Sequence, residues 1–482
     1  MADTTPLRPA LRLRPNEQRA ILMIGDLLSA IAAVFGALYV WREYSRFVLL
    51  AQGFPPNRIE RILAIEVPFW FYILPLAWLI LMVELYEPHT AASWRKTVRG
   101  IAVAAFLGLL AYSFLFTIRQ NPTSLPRIGV GAFLLFASLL TLGWRALYIR
   151  FYTTTGLMRR VLIVGAGKAA ASLVETYQTL RPPPFKLVGF IDDDPRKVGK
   201  PFYGYPVLAT SENLLKTIED YRISDLVIAI TKEMRGSTFQ AILEAQERGI
   251  EITRMPILYE EMVGRVPVHH LETEWIIRSF VDQMRVSGFY ELAKRLMDIA
   301  GALVGLAVFV LIFPFVALAT IIDSGFPILY SQSRLGKGGH EFKIYKFRTM
   351  WQDAEADGAA RLATEDDPRV TRVGNFLRRT RLDELPQFWN VLRGEMSLVG
   401  PRAERAELVN KFQKRIPFYR ARLLVKPGLT GWAQINYGYA STVEDTAVKL
   451  EYDLYYIKHR SLLMDLMIVL RTIGTVIRRS GR

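Results

Sequence analysis

The chain has 482 residues, carries 61 Lys and Arg against 45 Asp and Glu for a net charge of +16, and is 51% hydrophobic. That length exceeds one ordinary domain, and a chain both basic and apolar points to a protein facing anionic lipid; no basic helix or stripe outside the apolar runs suggests nucleic acid. It has no cysteine, which excludes disulfides, thiolate zinc sites and thiol catalysis, and its five histidines are scattered without an HExxH spacing, which argues against a histidine metal centre.

The N-terminal arm is polar and Arg-rich through Arg19. Four apolar segments follow, at about 20–40, 66–86, 100–118 and 128–147, each near the roughly 20 residues that cross a bilayer. No small-residue cleavage site follows the first, so it reads as a retained membrane segment. Asp26 within it is expected near a helix end or facing a neighbouring helix. Eleven Lys and Arg flank these segments on the side of the N-terminal arm, Arg145 among them, against six on the other. The positive-inside rule then puts both ends of a four-helix bundle in the cytoplasm.

From Arg160 the texture becomes soluble α/β. Val161–Val164 reads as a buried strand, Gly165-Ala-Gly167-Lys-Ala-Ala170 opens a helix, and Lys186–Ile191 is a second strand ending at Asp192-Asp193-Asp194. Asp225–Ile230 and Glu251–Met255 add two more strands around a helix near Ser237–Arg248. This is a Rossmann-like series in which Gly165 and Gly167 would approach a pyrophosphate and Asp192 a ribose. Most of a second mononucleotide-binding half is missing, so a module kept for structure or regulation is the competing reading.

Leu292–Ile322 is strongly apolar, with Lys294 and Arg295 near its start and Pro314 inside. A straight fifth span would carry the remaining residues outside. Parity therefore favours a helix that enters and returns on one face, with Pro314 supplying the kink; an ordinary spanning helix with a tolerated proline is the alternative. Then comes Phe342–Met350, in which Lys343, Lys346 and Arg348 could hold phosphate or form a solvated edge. Asp353–Gly358 resembles the start of an EF-hand loop, but Thr364 stands where that loop needs Glu. Val425–Gln434 is a glycine-punctuated loop, and Ser461–Arg479 reads as a cationic amphipathic helix, on a membrane surface or in a core.

The stretch from Arg378 to Arg402, RRTRLDELPQFWNVLRGEMSLVGPR, holds an adjacent acid pair, Asp383 and Glu384. Pro386 belongs in a first helical turn, Asp383 is a good N-cap, and Leu385, Phe388, Trp389 and Leu392 recur at helical spacing until Gly394. A carboxylate there faces the positive end of the macrodipole, which would keep it ionised. With Arg378, Arg379, Arg381 and Arg402 around it, the pattern suggests phosphate chemistry. A capped surface helix with compensating charges is the bland reading.

Taken together, residues 290–482 resemble the bacterial sugar transferases, the monotopic phosphoglycosyl transferases. The matching pieces are the proline-interrupted helix, YKFRTM at 345–350, DDPRVTRVGNFLRRTRLDELPQFWNVLRGEMSLVGPR at 366–402 and KPGLTGWAQI at 426–435. The segments ahead are similar to the long form of that family, the polyprenyl glycosylphosphotransferases of exopolysaccharide and capsule synthesis. The resemblance implies a multidomain membrane protein: a four-helix transmembrane bundle over 1–150, a Rossmann-like cytoplasmic α/β module with connector over 151–288, and an α/β monotopic catalytic domain with a re-entrant helix over 289–482. It implies that Asp383 attacks a UDP-sugar, releases UMP and passes the phosphosugar to undecaprenyl phosphate at the bacterial inner membrane. Glu384 would be its dyad partner, Mg²⁺ would bind at Asp383 and Glu384, and Arg379, Arg381, Arg402, Lys346 and Arg348 would bind phosphate. Expected partners are a UDP-sugar, undecaprenyl phosphate, membrane lipid and, for a homodimer, a second copy. Two positions depart from the family pattern: Phe313 precedes Pro314 where many relatives have Ser, and Ala403 follows Arg402 where many have Pro. A rival enzyme, a membrane-anchored NAD-dependent dehydratase or epimerase, would need the Tyr-x-x-x-Lys pair Tyr290 and Lys294. A non-catalytic scaffold is the remaining alternative.

Overall fold

The computed structural model describes residues 15–63, 69–86, 91, 93–118, 127–152, 158–181, 183–231, 234–270, 287–352, 367–438 and 442–477. The EF-hand-like stretch Asp353–Gly358 lies outside them. By compactness the chain divides into two units, Met1–Thr253 and Arg254–Arg482.

In the first unit, helix Pro15–Ala51 has 37 residues, about 55 Å at 1.5 Å per residue and longer than a bilayer core. Arg46 and Arg42 near its end pair with Glu60 on helix Pro56–Leu63. Among the described N-terminal residues, Arg19–Ala51, Trp94–Ser113 and Arg127–Phe151 are long and apolar enough to cross a membrane. The second apolar segment is not one spanning helix. It is a 3-10 turn Phe69–Ile73, a helix Leu74–Leu81 and a second 3-10 turn Val83–Tyr86. Pro75 sits in the first turn of that helix, because proline lacks the N–H that a continuing helix needs.

This broken segment still returns to the level at which the first helix began. Arg19 Nε donates to Tyr86 O at 3.2 Å, and Arg145 Nη1 donates to Leu85 O at 3.1 Å. Arg145 Nη2 also reaches Asp26 Oδ2 at 2.7 Å, and both side chains are fully enclosed. Asp26 therefore faces the helix Arg127–Tyr152, and the pair solves the problem of a charge at membrane depth. Arg145 is consequently spent inside the bundle and does not act as a topology-setting surface charge. Trp78, Phe133, Met82 and Ile101 fill the core around it.

Six strands follow, β1 (Arg160–Val164), β2 (Lys186–Ile191), β3 (Pro201–Phe202), β4 (Tyr205–Ala209), β5 (Asp225–Ile228) and β6 (Glu251–Arg254), in the sheet order β3-β4-β2-β1-β5-β6. β1 pairs in parallel with β2 and β5, β2 pairs in parallel with β4, and β3 is an antiparallel edge. β1 is an unbroken buried run, as a strand covered on both faces must be. Helices Lys168–Thr179 and Gly236–Glu247 supply Leu173, Val174 and Ile242 to its packing.

In the second unit the helix Met255–Val263 packs with the C-terminal residues: buried Glu260 accepts from Lys458 Nζ at 2.9 Å, and Gly264 O accepts from Trp432 Nε1 at 2.7 Å. The connector that the sequence reading placed with the first α/β module thus belongs, over residues 254–270, to the second unit.

The apolar helix runs unbroken from Gly288 to Ser324, with Pro314 inside it. One side is bare and apolar along the whole length: Phe289, Leu296, Leu303, Leu311, Phe315 and Ile322 are between 56% and 78% exposed. The other side is packed throughout. Near the start, Ser397 Oγ and Leu398 N donate to Asp298 Oδ1, both at 2.9 Å. In the middle, a Cβ on Gly305 would stand 2.4 Å from the Phe388 ring, so only glycine permits this approach. Beyond it, Phe309 and Phe313 meet Phe347 at ring-centroid distances of 5.6 and 6.0 Å. At the end, Val373 N donates to Asp323 Oδ2 at 3.0 Å. Phe313 at the proline is therefore a packing residue. Both ends of the apolar helix are fastened to the same α/β domain.

That domain contains an antiparallel hairpin, β7 (Leu329–Leu335) with β8 (Glu341–Phe347), and a short parallel pair, β9 (Ser397–Val399) with β10 (Gly428–Thr430). Helix Leu462–Ile477 buries Met464, Asp465, Met467 and Ile468. The core alternative for this segment prevails over the surface one.

Candidate active site

Helix Arg372–Thr380 is capped by the Thr371 hydroxyl, which accepts from Gly374 N at 2.9 Å. It stops at Arg381, whose φ of 59° is left-handed. Such a conformation costs a non-glycine residue about 1–2 kcal/mol and marks a fixed turn. Leu382–Gln387 then winds as a 3-10 helix containing Pro386, followed by the α-helix Phe388–Arg393 and Gly394. Asp383 is thus inside the turn and is not its N-cap; Arg381 holds that place.

Asp383 is buried, and its electrostatics run opposite to the macrodipole expectation. Burial and the neighbouring Glu384 charge push its carboxyl up to about 6, against the pull of Lys346, Arg381 and Arg402. Glu384 behaves differently. Burial opposes its ionisation too, but its cations prevail and hold it well below the usual carboxylate range. Lys346 Nζ donates to Glu384 Oε1 at 3.0 Å, Arg402 Nη2 donates to the same oxygen at 3.2 Å, and Arg381 Nη1 stands 3.8 Å from Oε2. Lys346 is 3.9 Å from Asp383 Oδ2. Adjacent carboxylates therefore differ in character: Glu384 is held as an anion, and Asp383 is the more basic carboxylate.

The cations are set by separate elements. Lys346 lies on β8 opposite Tyr330 of β7. Arg402 follows β9 in the Gly-Pro-Arg turn, which crosses the Lys426–Gly431 loop backbone to backbone. Gly400 N donates to Thr430 O at 2.9 Å, and Gly428 N donates to Pro401 O at 2.8 Å. A Cβ on Gly428 would meet Gly400 N at 2.1 Å, which explains the glycines of both motifs. Arg402 O accepts from Arg422 Nη2 at 3.2 Å, and buried Arg422 is held by Asp453 at 2.9 Å. The sequence reading missed Arg422, because nothing local distinguishes it from other arginines.

Other expected phosphate ligands are placed elsewhere. Arg348 caps the C-terminal end of the long apolar helix: its guanidinium donates to Ser324 O at 2.6 Å, Phe326 O at 2.7 Å and Gly325 O. Orphan carbonyls at a helix end attract a cation as phosphate does, so charge alone could not separate the two roles. Arg379 is exposed on the last turn of helix Arg372–Thr380. The cleft beside the acid pair is lined by Lys346, Glu384, Gln387, Arg402, Arg334 and Met396. Two carboxylates plus the oxygens of a bound diphosphate form a donor set of the kind Mg²⁺ takes; among the described residues no group of three His, Asp or Glu adds to it.

In the N-terminal α/β module, Gly165 has φ +102° at the strand-to-helix turn, and Gly167 precedes helix Lys168–Thr179. Asp192 reaches this loop, but its carboxylate is already engaged. Oδ2 accepts from Ala166 N and Lys197 Nζ, both at 2.8 Å, and Oδ1 accepts from Asp194 N at 3.0 Å. Tyr290 and Lys294 are likewise committed: they donate to buried Asp465 at 2.9 and 3.1 Å, alongside Tyr456 at 2.7 Å. They fix the apolar helix to the C-terminal helix, which removes the support for a dehydratase site.

A family model described as bacterial sugar transferase matches residues 289–479, and one described as a CoA-binding domain matches residues 82–256. A protein of Aeromonas hydrophila named UDP-N-acetylgalactosamine-undecaprenyl-phosphate N-acetylgalactosaminephosphotransferase is 42% identical over 48% of this chain and 53% of its own length. The UDP-galactose-lipid carrier transferase of Erwinia amylovora is 30% identical over 67% of this chain and 69% of its own. A Bacillus subtilis protein, named as a putative undecaprenyl-phosphate N-acetylgalactosaminyl 1-phosphate transferase, is 49% identical over 28% of this chain and 74% of its own. The chain thus spans about half the length of the Aeromonas relative.

Proposed function

The chain belongs to the bacterial sugar transferase family, and on that premise we propose that it moves a sugar 1-phosphate from a UDP-hexose, UDP-glucose or UDP-galactose, to undecaprenyl phosphate. UMP leaves, and the phosphosugar is carried on Asp383 in between. The product would be the first lipid-linked intermediate of an exopolysaccharide or capsule. The observation that carries this reading is the unequal acid pair beside three cations.

An Asp383 oxygen attacks the sugar-linked phosphorus of the diphosphate. The bond to the bridging oxygen breaks, and its electrons leave with UMP. A phosphate oxygen of undecaprenyl phosphate then attacks the same phosphorus and frees the carboxylate. Splitting the transfer in two makes each step easier. The raised affinity of Asp383 for a proton makes it the better nucleophile, while Lys346, Arg381 and Arg402 offset charge on the transferring group. Glu384 holds those cations in place. Mg²⁺ at Asp383 and Glu384 would add further charge stabilisation when bound.

The way the apolar helix is fastened supports a membrane placement for the catalytic domain. Its two ends are tied to one α/β domain, through Asp298 and Asp323, and its bare side is apolar throughout. A helix so held would meet the membrane through its bare side while its domain stays on one face. The second apolar segment ends at the level where the first helix begins, with Tyr86 O beside Arg19. On this reading the acid pair faces the cytoplasm. The absence of native cysteine makes this directly testable in cells. An impermeant thiol reagent added from outside is expected to label Gln52→Cys, beyond the first helix, and to leave Lys337→Cys unlabelled until the cells are lysed. Labelling of Lys337→Cys in intact cells would overturn the placement.

Release of UMP from a panel of UDP-hexoses, with undecaprenyl phosphate present, tests the activity. No release from any donor would refute it. The pH dependence of the same assay tests the role of Asp383. The carboxylate attacks only when ionised, so kcat/KM should fall as pH drops through about 6, by about tenfold per unit below it. A profile that stays flat to about pH 4.5 would mean that a carboxyl of ordinary affinity is the attacking group.

A further inference from the structure

Gln387 is the last residue of the 3-10 helix that carries the acid pair. At three residues per turn, side chains three apart stand over one another, so Gln387 lies on the face of Glu384 and not on that of Asp383. It is 95% enclosed, lines the cleft with Lys346, Glu384 and Arg402, and its Nε2 has no hydrogen-bond partner among the described residues. An amide N–H buried without an acceptor is destabilising, so such a group calls for an occupant that satisfies it. Arg334, which lines the same cleft, also has a buried Nε with no partner among the described residues. Its Nη1 donates to Ala403 O at 3.3 Å, beside Arg402. Lys346 and Arg402 retain further N–H groups once Glu384 is served. Two enclosed N–H groups of the cleft thus meet no acceptor among the described residues, and an oxygen-rich ligand would supply acceptors.

Resting on the phosphotransfer reading above, we propose that Gln387 is a substrate-positioning residue: its amide N–H₂ donates to a non-bridging oxygen of the nucleotide's diphosphate, with Arg334 closing the far side of that subsite. The ligand class is a nucleoside diphosphate. The lipid acceptor carries a single phosphate and arrives after UMP has gone, so its step does not need this hydrogen bond. An uncharged donor suits the position: beside Glu384 it can turn toward the diphosphate without competing for the carboxylate as another cation would.

The test uses the full-length protein in detergent or nanodiscs. Gln387→Met keeps the size and removes the donors, and Gln387→Glu replaces them with a negative charge. Relative to wild type, Gln387→Met should lower kcat/KM for the UDP-hexose about 10- to 100-fold, chiefly through KM. Gln387→Glu should be worse, and the KM for undecaprenyl phosphate should stay within about twofold. UDP with Mg²⁺ serves as a binding probe: it should raise the Tm of wild type, raise that of Gln387→Met less, and leave that of Gln387→Glu unmoved. Each shift is read against the variant's own unliganded Tm, so a less stable variant still reports. Equal UDP shifts in all three proteins, or equal losses for both substrates, would overturn the proposal and leave Gln387 a packing residue. A wild type that releases no UMP while UDP still stabilises it in a Gln387-dependent way would refute the reaction and keep the subsite.

Discussion

Replacing Asp383 with asparagine is expected to cut UMP release at least about 10³-fold while leaving the protein folded. The amide has the shape of the carboxyl but neither its charge nor its nucleophilicity. The substitution should also stabilise the protein. Asp383 is buried next to Glu384, and the two together push its carboxyl up to about 6. Near pH 7.5 the native site therefore holds an anion that its surroundings disfavour, and the neutral amide removes that cost, worth about 1–2 kcal/mol. A higher Tm with lost UMP release is the signature of a group kept for chemistry at the expense of stability. Full activity in this variant, measured as UMP per chain, would end the nucleophile assignment.

Glu384→Gln should lower kcat by about 10²-fold or more and shift the acid limb of the pH profile downward. The two effects have different origins. Glu384 anchors Lys346 and Arg402 through one oxygen, at 3.0 and 3.2 Å, so its loss frees both cations from their shared position. The same negative charge also contributes to raising the affinity of Asp383 for its proton. Without it, and with three cations still nearby, Asp383 ionises at lower pH. The residual activity of Glu384→Gln should therefore persist to lower pH than that of wild type. Unchanged kcat would show that Glu384 does not hold the cations for the reaction, and an acid limb that moves upward would show that its charge does not raise the affinity of Asp383 for its proton.

The features legible in the sequence are those carried by short-range backbone chemistry. Pro386, and Gly394 with its φ of 82°, bracket the turn that presents the acid pair. Gly400 and Gly428 flag the close crossing that aims Arg402. The break in the second apolar run was not read from the sequence, although Pro75 falls within it. Its hydropathy suggested one span, but hydropathy says nothing about a missing N–H. The ionisation of Asp383 was not legible, since a helix-start argument includes the dipole and omits the burial that outweighs it. The roles of the arginines were not legible either. Arg348 and Arg402 sit in equally basic surroundings, but one meets helix-end carbonyls and the other a carboxylate, and only the fold decides which. Asp192 lies at a plausible distance for a ribose contact, and its carboxylate also bonds Ala166 N and Lys197 Nζ, partners that spacing alone did not announce.

The most direct measurement is mass spectrometry of the protein after incubation with its UDP-hexose and Mg²⁺ in the absence of undecaprenyl phosphate. The account predicts one equivalent of UMP released and one hexose phosphate bound per active site, located on the peptide that contains Asp383 and discharged when undecaprenyl phosphate is added. UMP release that waits for the lipid and leaves the chain unmodified, or a phosphosugar found on another residue, would contradict it.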